Sequence, residues 1–115
     1  MGAGAAMTQT DVTLVLITCA NASEARAIGR ALVEARLAAC VHLRPHTAIY
    51  RWAGAIEEAE EITLLVKTTT ANTQAIEAAV LARHSYALPA ILTVPVSGGY
   101  GPFLEWVGAE SGPAA

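Results

Sequence analysis

The chain has 115 residues and a formal net charge of −3, with 54% hydrophobic and 15% charged residues, and 25 of its residues are alanine, so its mean hydropathy overstates how greasy it is. That composition suits one Ala-rich globular domain with a real core. Seven Lys and Arg spread thinly leave no basic stripe to neutralise phosphates, and no window approaches 18 consecutive apolar residues, so neither nucleic acid nor a membrane is an expected partner.

Residues 1–9 are small and polar, with a second methionine at Met7, and read as a disordered N-terminal extension lacking the basic and apolar regions of a leader. The chain is therefore expected to be cytoplasmic. Residues 11–19, DVTLVLITC, form an almost unbroken β-branched run, the pattern of a central strand. Asn21 precedes Glu24 by three, the spacing of a capping box, and Ala25, Ile28, Leu32 and Ala35 recur at helical spacing, so a helix is expected to about Leu37. Arg26, Arg30 and Glu34 make its solvated stripe. Cys19 and Cys40 sit in apolar surroundings and read first as buried, reduced thiols.

CVHLRPHTAIYRW follows as a second strand, which Pro45 places at a sheet edge or at a bulge. A third strand, from about Ile56 to Thr68, alternates over EITLLVKT: Ile62, Leu64 and Val66 face one side, and Glu61, Thr63, Leu65 and Lys67 the other. The two strands meet at Ala53-Gly54, and nothing in the second arm stops it. At about 3.3 Å per residue, 13 residues span roughly 43 Å, whereas a compact chain of this length is only about 35 Å across. Either the hairpin bends back over its own domain or something else covers its far end.

TTANTQAIEAAVLARH reads as a second helix capped by Thr70 or Asn72, with Ile76, Ala79, Val80 and Arg83 on one stripe. AILTVPV is a fourth strand, and Pro95 again demotes it to an edge. Gly101-Pro102 opens a short helix in which Phe103, Trp106 and Val107 are expected to pack inward, and the last residues, GAESGPAA, read as a fraying tail. The order β-α-β-β-α-β plus a terminal helix is that of the α+β ferredoxin-like sandwich, with an antiparallel sheet in the order 4-1-3-2. Both prolines fall on its edge strands. One domain is expected over 10–110, with 111–115 as a tail.

LVEARLAACVHL, YRWAGAIEEAEEITLLVKT, HSYALPAI and FLEW closely resemble the divalent-cation-tolerance family usually called CutA, in register from about Val12 to Trp106. The resemblance implies a tight homotrimer, structural similarity to PII signal proteins and an association with tolerance to copper and other divalent metals. A trimer would cover the overlong hairpin, with Tyr50, Trp52 and Trp106 at the subunit interface.

Copper sites ascribed to some family members use a thiol late in the first strand and two adjacent histidines after the second helix. Those positions are Ile17, Arg83 and His84 here, so only His84 survives, with Cys19 as a conceivable substitute on the same sheet face. Any copper or other divalent metal would then bind weakly. Taken alone, His84 near a helix C-terminus is explained by the helix dipole. The family resemblance also implies a cleft for a small ligand that draws on Tyr50, Glu61, Lys67, His84 and its neighbour Tyr86, contributed by adjacent subunits. Glu57, Glu58, Glu60 and Glu61 alternate between two faces and cannot all converge on a cation, so a solvated strand is the simpler account. His42, Arg44 and His46 form a polar stripe on an edge strand. Ala90 stands where the family often has a glutamate, and no phosphate loop or nucleophile is apparent. A binding or assembly module is therefore expected ahead of a PII-like sensor or a small enzyme using His84.

Overall fold

The computed structural model describes residues 10–113. The expected 1–9 extension lies outside them. Strands β1 (Val12–Cys19), β2 (Cys40–Trp52), β3 (Ala55–Thr69) and β4 (Ile91–Pro95) form one antiparallel sheet in the order β2-β3-β1-β4. Helices α1 (Ala22–Glu34) and α2 (Thr73–Leu81) cover one face, and α3 (Gly101–Glu110) follows β4. This is the expected ferredoxin-like order, with Pro45 and Pro95 on the two edge strands, where a missing N–H costs least. The β2–β3 ladder runs through Pro45 to Trp52↔Ala55 without a bulge.

Side-chain alternation builds the core. Val15, Ile17 and Cys19 of β1 and Leu64 and Val66 of β3 project to one face, where they meet Ala25, Ile28 and Leu32 of α1 and Ile76 and Val80 of α2. Gly29 lets α1 approach β2, since a Cβ there would lie 3.2 Å from Val41 Cγ1. The opposite face is covered by α3 only in part, where Phe103 meets Lys67: Leu92, Leu16 and Leu65 stand in one row of the ladders, Leu92 exposed and the others half-buried.

Several boundaries differ from expectation, each through a contact made far along the chain. Helix α1 ends at Glu34 rather than about Leu37, because Arg36 enters the left-handed region at φ 58°. From there its guanidinium donates to the Ala109 carbonyl (2.9 Å) and to the Gly112 carbonyl, and lies 3.6 Å from Glu110. Thr70 and Asn72 do not cap α2 through their side chains. Asn72 Nδ2 instead donates to Ser111 O, and residues 70–72 make a short 3₁₀ turn. The segment read as a fraying tail is thus held at Ala109, Ser111 and Gly112. In α3 only Val107 is buried. Phe103 and Trp106, expected to pack inward, stack on each other at 5.6 Å and stay 42% and 44% exposed.

The hairpin does not bend back. It closes with a two-residue turn, Ala53 and Gly54 both at positive φ (51° and 81°), which matches the strand twist. Pairing between β3 and β1 ends at Ile62↔Cys19, so Ala55–Glu61, about 23 Å of strand, has β2 as its sole strand partner. The molecule measures 52 × 34 × 21 Å with a radius of gyration of 15.7 Å, against about 13 Å for a compact chain of this length.

Candidate functional site

The chemistry-bearing residues gather where β1 ends, α1 begins and the loop after α2 crosses the end of the sheet. Asn21 Oδ1 caps α1 by accepting the Glu24 N–H at 2.9 Å. The reciprocal half of a capping box is altered. Glu24 Oε1 accepts the Ala20 N–H (2.9 Å), and Oε2 reaches across to the Ser85 N–H (2.8 Å). One carboxylate thereby ties the start of α1 to the loop after α2.

His84 is held from both sides. Its Nε2 lies 2.6 Å from the Thr18 carbonyl and its Nδ1 lies 3.0 Å from the Tyr86 N–H. A carbonyl can only accept and an N–H can only donate, so the imidazole is the neutral Nε2–H tautomer with both nitrogens engaged. Its side chain is almost fully buried, Glu24 Oε1 stands 3.9 Å from Nε2, and the Tyr86 ring lies 5.0 Å away. Cys19 Sγ completes the group: the thiol, the Glu24 carboxylate and an imidazole nitrogen lie within 4.8 Å of one another. Cys19 and Cys40 are both free thiols.

Electrostatics in this group follow from burial and hydrogen bonding. Burial first, and the Glu24 charge second, push the Cys19 thiol up to about 11, so it is uncharged near neutral pH. Burial also acts to raise Glu24, but hydrogen bonds from Ala20 and Ser85 outweigh it and lower the carboxyl below its ordinary 4.5. A depressed pKa means that the folded carboxylate stabilises fully above the unfolded value, and that this is lost as pH falls through the folded value. Glu24→Gln is expected to be less stable than the parent at about pH 7, with the gap narrowing as the pH falls below the ordinary 4.5; urea midpoints across that range check both statements.

On the face of the sheet opposite α1 and α2, Tyr86 donates its hydroxyl proton to Glu61 Oε2 at 2.8 Å. Burial, then that bond and the Glu61 charge, push the Tyr86 phenol up to about 12, with Tyr50 and Glu24 adding to the effect. Tyr50, Trp52, Glu61 and Tyr86, with Thr18, Ala48 and the residues of the 85–90 loop other than Pro89, line a pocket of about 560 Å³. The sequence reading named Tyr50, Glu61 and Tyr86 as cleft residues and placed Trp52 at an interface. Glu61 departs from the solvated-strand expectation, being 7% exposed.

Lys67 is not at this pocket. It lies further along β3, 3.3 Å from His42 Nε2 and with its ammonium 5.6 Å from the Phe103 ring centre. His46 pairs with Thr63 at 2.7 Å, so the polar stripe of β2 is occupied with cross-strand neighbours. Glu24 was read only as a capping residue. The signal was present, a carboxylate within one turn of the thiol, but its reach to Ser85 depends on a loop 61 residues away.

A two-layer α+β sandwich whose hairpin outgrows its body, with a thiol, a carboxylate and an imidazole gathered at the sheet end, defines a small ferredoxin-like domain. Residues 13–110 match the family described as "CutA1 divalent ion tolerance protein", and the chain belongs to that family. It is 44% identical over 100 residues to the divalent-cation tolerance protein CutA of Thermus thermophilus, covering 86% of this chain and 97% of that one. The human protein CutA is 41% identical over 97 residues, 84% of this chain but 54% of the human one, so the chain spans about half of that relative. The crystal structure of CutA from Xylella fastidiosa superposes with a TM-score of 0.87 at 40% identity, covering 90% of this chain and all of that one.

Proposed function

We propose that the chain assembles as a homotrimer and serves divalent-metal tolerance, copper included, by binding and not by turnover. The observation that supports this most is the uncovered arm, with Ile49 and Ile56 70% and 69% exposed on one face and Tyr50 and Trp52 41% and 50% exposed on the other. An edge strand this long and apolar recruits a further chain, and a closed three-fold ring satisfies it without leading to fibres. The row Leu92, Leu16 and Leu65 supplies more apolar surface for the same purpose. Native mass spectrometry with and without copper tests the reading: it predicts a single species at three times the 11.9 kDa chain mass, and copper-loaded species only at high metal.

Cys19, Glu24 and His84 would be the metal-holding residues. Thiolate and imidazole suit copper or zinc. Yet binding must remove a proton from a thiol held at about 11 and displace the Thr18 carbonyl from His84. Copper is therefore expected to bind in the micromolar range or more weakly, and His84→Ala or Cys19→Ser to weaken it further, as read by calorimetric titration. Nanomolar binding would contradict that expectation. A second reading, a PII-like trimeric sensor for a small ligand, is favoured by the pocket around Glu61.

A further inference from the structure

We infer that the pocket between the β2–β3 hairpin and residues 85–90 binds an organic ammonium ion. The inference rests on the small-ligand reading of this site, and every residue it uses belongs to one chain. Glu61 is a carboxylate nine-tenths buried, with no cationic partner among the described residues. Tyr86 O–H satisfies Oε2, whereas no hydrogen bond reaches Oε1 among the described residues, and Glu61 lines the pocket. His46, opposite Glu61 in the ladder, turns instead to Thr63. Among the described residues only Ser111 Oγ is both fully buried and unpaired, so Glu61 Oε1 opens into the pocket, where it is free to accept from a bound cation.

The walls decide which cation. Tyr50, Trp52 and Tyr86 supply three electron-rich ring systems, and Ala48, Ala87, Leu88 and Ala90 supply apolar surface. Ring faces beside a carboxylate are the surroundings that attract alkylated ammonium groups. A bare divalent ion is poorly served, since it needs several oxygen, nitrogen or sulfur ligands and the pocket offers one carboxylate, two phenols and small hydroxyls. An anion is disfavoured, because a carboxyl group lines the pocket and Lys67 lies elsewhere.

Choline and benzyltrimethylammonium serve as probes, with 3,3-dimethylbutanol as the uncharged isostere of choline. Calorimetric titration of the intact protein is expected to show both cations binding and the alcohol binding at least about tenfold more weakly. Glu61→Gln keeps the size and an acceptor for Tyr86, and Trp52→Leu keeps apolar bulk; each is expected to lower choline affinity about tenfold. Binding of the alcohol as tight as that of choline, undiminished binding in Glu61→Gln, or no binding of either cation at millimolar concentration would overturn the assignment. Sedimentation of the protein with saturating choline is expected to be unchanged. If choline split the assembly, the natural cation would be a side chain of a second copy, and the small-ligand assignment would fail. Sedimentation without choline judges the trimer separately, so the two proposals can fail independently.

Discussion

A chain carrying Ile49→Asp and Ile56→Asp together is expected to sediment as a folded monomer. Both side chains stand beyond the helices on the outer hairpin, about 70% exposed in the single chain, so the monomer loses almost nothing by the change. Ile49 pairs with Glu58 and Ile56 with Arg51 across the ladder, and neither touches the core cluster. In an assembly the same positions would be covered, and each buried carboxylate costs roughly 3 kcal/mol or more unless a cation answers it, which Arg51 can do at position 56 and nothing opposite does at position 49, where Glu58 stands. Three chains would carry six of them, three without a cation opposite. Sedimentation velocity with circular dichroism on the same sample separates dissociation from unfolding. A variant that remained assembled would place the contact surface away from the arm.

His84→Ala is expected to lower the stability of the chain by about 3 kcal/mol, whatever its effect on metal binding. The substitution leaves the Thr18 carbonyl and the Tyr86 N–H without their partner and removes a nearly buried ring that packs against Tyr86. Each orphaned backbone group costs about 1–3 kcal/mol where water cannot replace the lost bond. Denaturation in urea without metal measures the loss. A shift below about 0.5 kcal/mol would show that water takes over both contacts and that the imidazole is free to act as a ligand. Tyr86 is positioned by the same bond, so His84→Ala is also expected to loosen the wall of the Glu61 pocket.

Sheet order was legible because proline is tolerated in few places. Pro45 and Pro95 pointed to edge strands or bulges, which left the β-branched run of β1 and the alternating run of β3 for the centre. The length of the hairpin was legible from the absence of breakers, and the turn from Ala53-Gly54, whose strand-matching twist follows from two positive φ values. The helix ends were obscured by distant partners: Arg36 leaves α1 to hold the end of α3, and Asn72 gives up its cap for Ser111.

Periodicity put Phe103, Trp106 and Val107 on one stripe of α3, but it cannot say whether a stripe faces the chain's own core. Val107 does; the two aromatic residues do not. The site behaved similarly. Alternation put Glu61 and Lys67 on one face of β3, and it could not show that the phenol of Tyr86 buries the first while the second sits over Phe103. The meeting of Cys19 with His84 rests on the loop after α2 crossing the end of β1, which follows from the fold and not from local pattern.

Sedimentation equilibrium of the unaltered protein, across about a hundredfold range of concentration, bears most directly on the claim that the overlong hairpin exists to be shared between chains. A single species of three times the 11.9 kDa chain mass, holding into the low micromolar range, is the predicted result. A single species of one chain mass at those concentrations would contradict it.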